Sequence, residues 1–320
     1  MTSHGWFTSR TFHHSRFEDL GALVEQKRRA GVTISACIPT LNEEHTVGPI
    51  VASIRTQLME DHALVDELVV VDSLSDDRTA RVAEDAGAAV VQDRDILPDM
   101  EPGAGKGEAL WKSLLVLRGD LIAWLDADID EFHPRFVYGT LAPMLLDDGV
   151  GYVKAFYDRP MRRGNTVDPA EGGRVTELLA RPLLNMFWPE LAAVVQPLSG
   201  EYAGRREMLE RIPFFTGYGV ELGMLIDLYE AFGMDAIAQV DLDVRLHRNQ
   251  PLRSLSRMSF AILQTALRRL EGSGRLRLTG ELETVFRQLR KENGDYTLEA
   301  SEVRVEERPP AISIPEYASR

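Results

Sequence analysis

The chain has 320 residues, of which 44% are hydrophobic and 27% are charged. That length is sufficient for one large α/β domain with a substantial core. The formal net charge of −14 argues against a general nucleic-acid-binding protein, because such proteins neutralise phosphates with an excess of lysine and arginine. It leaves room for a phosphorylated substrate, since an acidic surface can surround a locally basic pocket.

The cysteine content and the N-terminus indicate the compartment. Cys37 is the only cysteine, which rules out an internal disulfide and fits a reducing environment. It lies in an apolar run, so we expect a small core residue rather than a nucleophile. No signal peptide and no long apolar segment are evident. We therefore expect a soluble, cytoplasmic protein with no membrane partner.

Apolar runs alternate with helical patterns through the first half of the chain. Residues 1–30 are polar and predict a loosely packed lead-in with one short helix. Strands are predicted at 33–39, 67–71, 88–91 and 121–125, with helices at 43–59, after residue 75 and at 106–117. This alternation indicates βαβ units and a mostly parallel sheet, which binds ligands at the carboxyl ends of its strands.

The second half is less regular. Strands are predicted at 151–157 and 236–246, and helices at 219–232 and 251–270. A helical pattern at 174–195 contains Pro182 and Pro189, which we expect to interrupt it. The tail after residue 293 is expected to be extended and partly loose.

The sharpest local feature is Asp126-Ala127-Asp128, at the end of a predicted buried strand. Two carboxylates there suit Mg²⁺ or Mn²⁺ bridging to a diphosphate, because hard cations take oxygen ligands. The pattern D-x-D is weak alone, since residues 128–130 and 241–243 also match it. The apolar strand directly before Asp126 favours the first register. The alternative is that acidic residues merely end a strand.

Three further features follow predicted strands or open helices. A turn beginning at Pro39 could contact a nucleobase, with Asn42 as a helix cap, and Ser73 could contact a ribose or base. Lys106, flanked by glycines, could neutralise a phosphate at a helix N-terminus. The pattern is not a P-loop, because Gly107 occupies the Ser/Thr position. The alternatives are ordinary helix caps and a solvated lysine.

Two basic segments lie in the second half. Arg245, His247 and Asn249 would share one face of a strand, which suits a third metal ligand with phosphate-binding neighbours. Residues 172–176 begin a helix with two glycines, Arg174 and Thr176, a combination favourable for anion binding. The alternatives are a packed or exposed histidine and an ordinary glycine-led helix start.

Together these features resemble the retaining GT-A glucosyl-3-phosphoglycerate synthases and the closely similar mannosyl-3-phosphoglycerate synthases. The resemblance covers about residues 33–249. Its most specific stretches are residues 39–44, 105–111, 172–178, 181–184, 196–203, 217–221 and 247–249. One departure is Leu74, where glycine is familiar in the family.

The resemblance implies an α/β architecture with the GT-A glycosyltransferase fold. Its Rossmann-like, mostly parallel sheet would be flanked by helices and followed by a C-terminal helical extension. It also implies a lead-in over residues 1–30 and a catalytic domain over residues 31–250. Residues 31–130 would bind the nucleotide-sugar, residues 131–250 the acceptor, and residues 251–320 would form the C-terminal helix and tail.

The resemblance also implies roles for individual residues. Catalysis would involve Lys106, Asp126, Asp128 and Glu221, the last by hydrogen bonds to the donor sugar. The nucleotide-sugar would contact Pro39, Leu41, Glu43, Ser73, Lys106 and Asp126. The acceptor would contact Gly173, Arg174, Val175, Thr176, Arg245 and Asn249, with Tyr218 as a weaker candidate. Asp128 and His247 would ligate Mg²⁺ or Mn²⁺.

The implied reaction is metal-dependent glucose transfer from a nucleotide-sugar, first of all UDP-glucose, to 3-phosphoglycerate. Retention would proceed by front-face attack, with the leaving phosphate taking the acceptor proton, and the enzyme would be a homodimer. The alternatives are a mannosyl-3-phosphoglycerate synthase that uses GDP-mannose and an inverting GT-A transferase with another acceptor. Sugar-phosphate nucleotidyltransferases and a non-catalytic nucleotide-sugar-binding module are more distant alternatives.

Overall fold

A computed structural model describes residues 3–103, 105–159, 161–163, 166–168, 173–246, 251–292 and 294–318. The helices are α1 Ser3–Arg10, α2 Leu20–Ala30, α3 Val47–Ile54, α4 Thr79–Ala86, α5 Lys106–Ser113, α6 Arg135–Leu146, α7 Arg181–Phe187, α8 Arg206–Leu209, α9 Val220–Phe232, α10 Leu252–Gly272 and α11 Pro315–Ala318. The strands are β1 Thr11–His13, β2 Ile34–Thr40, β3 Glu67–Asp72, β4 Ala89–Gln92, β5 Leu121–Trp124, β6 Tyr152–Asp158, β7 Met161–Arg163, β8 Thr166–Asp168, β9 Tyr202–Arg205, β10 Phe214–Phe215, β11 Ile237–Val244, β12 Val285–Glu292, β13 Asp295–Glu302 and β14 Glu307–Arg308.

The predicted mostly parallel sheet is present. Among the described residues, eight strands form one sheet in the order β1-β11-β6-β9-β5-β2-β3-β4. All neighbours pair in parallel except β9, which is antiparallel to both β5 and β6. The carboxyl ends of the parallel strands therefore meet at one edge of the sheet, where a ligand crevice forms.

The central strands are buried on both faces, which explains their continuous apolar runs. In β2, Ile34 and Ile38 face one core cluster, while Cys37 faces the other together with Trp124. Cys37 is fully buried, and burial raises the pKa of its thiol to about 12. The expectation that Cys37 is a core residue rather than a nucleophile is confirmed.

Two helical predictions differ from the structure in length and regularity. The helix predicted at 43–59 is the shorter α3, which continues into a π-helical turn at Arg55–Glu60. The helical pattern at 174–195 is interrupted near both prolines, as predicted. A π-helical turn precedes Pro182, and Pro189 begins a 3₁₀ turn. A π turn accommodates the carbonyl group that proline cannot bond.

The expectation of a loosely packed N-terminal segment is wrong. Strand β1 pairs in parallel with β11 and extends the sheet. The Trp6 side chain is buried, and its indole N–H donates to the carbonyl oxygens of Met234 and Ile237 at 2.8 and 2.9 Å. These contacts join the segment to the main sheet, because an indole supplies both apolar area and a hydrogen-bond donor.

The expectation of an extended, partly loose C-terminal tail is also wrong. Strands β12 and β13 form a regular antiparallel hairpin, and β14 pairs with β10. Arg308 in β14 donates to both oxygens of Glu108 at 2.6 and 3.1 Å, and Trp111 donates to the Pro309 carbonyl. The tail is thus attached to α5, the helix that Lys106 opens.

The proposed division of the chain into parts at residues 30, 130 and 250 stays a prediction.

Among the described residues, no helix combines the length and the apolar character that crossing a bilayer requires.

The buried pair between Arg308 and Glu108 makes a prediction about stability. Arg308→Met should lower the free energy of unfolding by about 3 kcal/mol, because it leaves a buried carboxylate without its main cation. Urea denaturation measures the change. As a control, Arg290→Met should leave the midpoint unchanged, since the partners of Arg290, Glu292 and Glu299, are solvent-exposed. Equal losses in the two variants would contradict this account of the tail.

Candidate active site

A cavity of about 460 Å³ opens at the carboxyl ends of β2, β3 and β5. Every predicted site residue that the structure describes lines it: Pro39, Leu41, Glu43, Ser73, Lys106, Asp126, Asp128, Gly173, Arg174, Val175, Thr176, Glu221 and Arg245. Tyr218 lines it as well. His247 and Asn249 lie outside the described residues. The folded chain therefore brings together segments that are separated by more than two hundred positions in sequence, from Pro39 to Arg245.

Of the three D-x-D matches in the sequence, only Asp126 and Asp128 both line the cavity in the described structure. Strand β5 ends at Trp124, so Asp126 and Asp128 follow it at the ligand edge and both line the cavity. Asp130 is exposed and does not line the cavity. Asp243 lies within hydrogen-bond distance of His13 and His14 near the outer edge of the sheet instead.

The cluster of His13, His14 and Asp243 is close enough to suggest a cation site of its own. The hydrogen bonds argue against that reading. The backbone N–H of Ser15 donates to Nδ1 of His13 at 3.2 Å, which leaves the proton of the neutral ring on Nε2, facing Asp243 at 3.0 Å. A nitrogen that carries a proton has no lone pair for a metal.

Asp126 is the centre of the charge network in the cavity. Its Oδ1 accepts from Lys106 Nζ at 2.5 Å, and its Oδ2 accepts from Arg245 Nη2 at 3.1 Å. Lys106 Nζ also lies 2.9 Å from Glu221 Oε1. Arg245 Nη2 donates to Asp128 Oδ1 at 2.5 Å. One carboxylate therefore joins two cations, and each cation holds a further carboxylate.

Burial and these ion pairs act in opposite directions on the pKa values. Burial would raise the pKa of Asp126, but Lys106 and Arg245 outweigh it and hold that pKa well below its usual range. Burial would lower the pKa of Lys106, but Asp126 and Glu221 outweigh it and raise that pKa well above the usual value. Both groups consequently stay charged at neutral pH.

Arg245 also binds a layer of residues beneath the cavity. Its Nε lies 3.3 Å from Oε1 of Glu201, and its Nη1 donates to the Tyr157 hydroxyl at 3.3 Å. The Tyr157 hydroxyl in turn donates to Glu201, which is fully buried. The sequence analysis predicts no role for Glu201 or Tyr157. Glu201 does lie within residues 196–203, one of the stretches that resemble the family most closely.

Glycines set the position of Lys106 and Asp126. A Cβ at Gly107 would overlap the carbonyl oxygen of Phe215, and a Cβ at Gly200 would overlap the Asp126 carboxylate. Gly105 has φ +79° and lies against the backbone of Gly217. The glycines beside Lys106 therefore let α5 approach the turn that precedes α9. Glu221 lies in the first turn of α9.

The loops after β2 and β3 hold each other. Asn42, at φ +58°, accepts through Oδ1 from the N–H of Asp76, and its own N–H donates to Ser75 Oγ, each at 2.8 Å. The expectation that Asn42 caps the following helix is wrong, because α3 begins only at Val47. Leu74 adopts φ +62°, a left-handed conformation that explains why glycine suits its position.

The opposite wall combines a basic helix start with an apolar surface. Gly173 has φ +76°, and Arg174 to Thr176 follow it into the first helical turn. Leu255, Met258 and Ile262 of α10 complete the wall. The sequence contains no local signal for these three residues, since only the tertiary fold places α10 over the cavity.

Comparison with known proteins identifies the family. A sequence model described as Glycosyl transferase family 2 matches residues 35–212. Glucosyl-3-phosphoglycerate synthase from Petrotoga mobilis is 50% identical over 97% of this chain and 96% of its own. The enzyme of that name from Mycolicibacterium smegmatis is 45% identical over 97% and 98%. The chain belongs to the glucosyl-3-phosphoglycerate synthase family.

Solved structures of the family establish the fold. Mannosyl-3-phosphoglycerate synthase from Rubrobacter xylanophilus superposes with a TM-score of 0.88 at 41% identity, covering 96% of each chain. Glucosyl-3-phosphoglycerate synthase from Mycobacterium tuberculosis, in complex with Mn²⁺, UDP and glucosyl-3-phosphoglycerate, superposes with a TM-score of 0.79 at 43% identity, covering 91% of this chain and 94% of that chain. The chain has the GT-A glycosyltransferase fold, as its sequence predicts.

Proposed function

We propose that this protein transfers glucose from UDP-glucose to 3-phosphoglycerate, with Mg²⁺ or Mn²⁺ as cofactor. The observation that carries the proposal is the single cavity in which Lys106, the acidic pair and the basic helix start at Arg174 meet. Relatives at 45–50% identity are glucosyl-3-phosphoglycerate synthases. The Mycobacterium tuberculosis enzyme has been crystallised with Mn²⁺, UDP-glucose and phosphoglyceric acid, and with Mg²⁺ and UDP.

The donor atoms in the cavity fit a divalent metal ion. Asp128 is about one-third exposed and, among the described residues, is held only by Arg245 through Oδ1. A carboxylate oxygen that faces the cavity is the ligand type that Mg²⁺ and Mn²⁺ prefer. We assign Asp128 and His247 as the residues that would hold the ion. When bound, the ion supplies positive charge that neutralises the donor diphosphate.

The chain's own residues supply the remaining electrostatics on the donor side. Lys106 opens α5 and carries a permanent positive charge beside the acidic pair, so it can bind a diphosphate. Glu221 lies at the start of α9 and faces the cavity, where it can accept hydrogen bonds from sugar hydroxyls. Asp126 fixes the position of Lys106 and can contact the ribose or the sugar. The loops at Pro39, Leu41, Glu43 and Ser73 form the nucleoside side.

The acceptor side is the helix start at residues 173–176. Free N–H groups at a helix N-terminus, with the Arg174 guanidinium and the Thr176 hydroxyl, favour a phosphate or a carboxylate. Asn249 and Arg245 are proposed to assist. Since Arg245 is held by Asp126, Asp128 and Glu201, its contact with the acceptor requires exchange of at least one of these partners.

We further propose that the anomeric configuration is retained by front-face attack, with the leaving phosphate taking the acceptor proton. An inverting reaction would need a general base beside the acceptor. Asp126 is unsuited to that task because its pKa is held far below neutral. Glu221 is also unsuited to act as the base, because its Oε1 already forms an ion pair with Lys106 Nζ at 2.9 Å.

Transfer of mannose from GDP-mannose is the second candidate. The observation that favours it is the higher TM-score of the mannosyl-3-phosphoglycerate synthase, 0.88 against 0.79 for the glucosyl enzyme. The curated relatives at 45–50% identity are glucosyl enzymes, which places UDP-glucose first.

The test of the reaction is a product assay with purified protein, Mg²⁺ and 3-phosphoglycerate. UDP-glucose, GDP-glucose and GDP-mannose are supplied in parallel, and proton NMR of the product reports the anomeric configuration. We expect the fastest product formation from UDP-glucose and an α-linked product. A faster reaction with GDP-mannose would assign the second candidate, and a β-linked product would contradict retention. No product in any reaction would remove the acceptor assignment.

The metal assignment is tested with neighbouring aspartates. Asp128→Asn should lower metal-dependent kcat by at least about 100-fold, because the amide oxygen carries no charge for the ion. Asp130→Asn is the matched control, since it changes the same functional group two residues away, outside the cavity. Its kcat should equal that of the wild type. Near-wild-type turnover of Asp128→Asn would show that the ion binds elsewhere.

We also propose a cytoplasmic homodimer in which α10 and the C-terminal hairpin form the interface. Leu289 and Leu298 pair across β12 and β13 and are both exposed, which is unfavourable unless another surface covers them. Sedimentation velocity should give twice the chain mass of 35.8 kDa. Leu298→Asp should shift the protein to a monomer. A monomeric wild type at micromolar concentration would contradict the dimer.

A further inference from the structure

A second lysine lies beneath the cavity and is used by none of the steps above. Lys154 occupies the middle of β6, where it is paired in register with Tyr202 and Gln239. Its side chain is 1% exposed. Among the described residues, its Nζ atom has no hydrogen-bond partner. A buried amine without a partner is costly, so a central strand that contains one calls for a functional explanation.

The Tyr202 ring connects Lys154 to the catalytic cluster. The Nζ atom of Lys154 lies 4.1 Å from the ring centroid, and the Nζ atom of Lys106 lies 5.5 Å from the same centroid. Lys106 in turn contacts Glu221 at 2.9 Å. The hydroxyl groups of Tyr152 and Tyr202 are also buried without hydrogen-bond partners in the described part of the chain. Lys154 is therefore a buried amine that contacts the same aromatic ring as Lys106.

Burial of Lys154 disfavours its positive charge, whereas nearby carboxylates favour that charge. Burial lowers the pKa of its ammonium group to about 7, and Glu221 is the strongest influence in the opposite direction. The charged or titratable groups that face it from the neighbouring elements are Glu221 of α9, Lys106 of α5, Tyr152 of β6, Tyr202 of β9, and Glu201 and Asp126 of the loops.

We propose that Lys154 is a positioning residue for Glu221. It holds this carboxylate in place when Lys106 turns from Glu221 to the phosphates of the donor. The inference rests on the proposed function, since it requires Lys106 to bind the donor.

The need for a second cation follows from the number of partners that Lys106 would have. Its single ammonium group already contacts Asp126 and Glu221. When it also binds a diphosphate, its interaction with Glu221 weakens. Asp126 retains Arg245, whereas Lys106 is the one ion-pair partner of Glu221 in the described part of the chain. A buried carboxylate that loses its cation is no longer held in one position. Lys154 opposes this movement, because its side chain carries a positive charge and stays in β6.

The test is the pH dependence of kcat in Lys154→Met and Lys154→Arg. At pH 6 the methionine variant should be slower than the wild type by about 100-fold, because Glu221 is misplaced. This ratio should shrink toward one between pH 7 and pH 9, since the wild-type ammonium loses its proton as the pH rises through about 7. Arginine keeps its charge at these pH values. Lys154→Arg should therefore recover much of the activity and lose less of it at high pH.

Stability separates positioning from simple packing. Methionine has nearly the volume of lysine and buries no amine, so Lys154→Met should have an unchanged or higher thermal midpoint. Lys27→Met is the matched control, since Lys27 is also buried but pairs with Asp66 at the amino end of the sheet. It should lower the thermal midpoint and leave kcat per folded molecule unchanged.

Each outcome decides the inference. A wild-type to Lys154→Met ratio that is constant from pH 6 to 9, or an unchanged kcat, would overturn it while the proposed function stands. A lower thermal midpoint with no rescue by arginine would assign Lys154 to packing. A wild type that forms no product at any pH would overturn the proposed function and this inference with it.

Discussion

The structure of the site depends on the position of one carboxylate, Asp126, between two cations. Lys106 opens α5, and Arg245 follows the last strand of the main sheet, so these residues come from distant parts of the chain. Both bind Asp126 and both carry a second carboxylate. Removing any one of the charges would leave the others buried and unbalanced. The cluster therefore fixes four chain segments relative to one another.

The remainder of the fold provides the close contacts that this cluster needs. Gly107 and Gly200 remove side chains where Lys106 and Asp126 approach the neighbouring backbone. The C-terminal tail contacts the same region, because Arg308 holds Glu108, two residues after Lys106 in α5. Catalytic groups on helix ends and strand ends are held more rigidly than groups on free loops. A transferase gains from that rigidity, since preorganised charge needs no rearrangement during the reaction.

Local patterns in the sequence predict six of the eight strands of the main sheet and several polar residues at its ligand edge, but not β1 or β9. Leu41, Glu43 and Glu221 are implied only by the family resemblance. Apolar runs such as that before Asp126 marked the strands, and polar residues after them marked the ligand edge. Asn42 shows the limit of such reasoning. An asparagine after a strand can cap the next helix or bind a neighbouring loop, and the local sequence is the same in both cases; here its side chain accepts from the N–H of Asp76. The roles of Trp6 and Arg308 depend on partners more than one hundred and ninety positions away. No local pattern contains that information.

Leu74 shows how a structure explains a departure from a family pattern. Its left-handed backbone is tolerated on an exposed loop, although glycine would adopt the same conformation without steric cost. The departure therefore changes the side chain at the rim and leaves the course of the backbone intact. The neighbouring Ser73 keeps its place at the cavity.

We propose that the metal ion binds at the acidic pair at the end of β5 and not at the other acidic clusters. Anomalous diffraction from crystals grown with Mn²⁺ and UDP tests this proposal. We expect one strong Mn²⁺ peak within coordination distance of an Asp128 carboxylate oxygen. A peak at His13, His14 and Asp243, with none at Asp128, would contradict it.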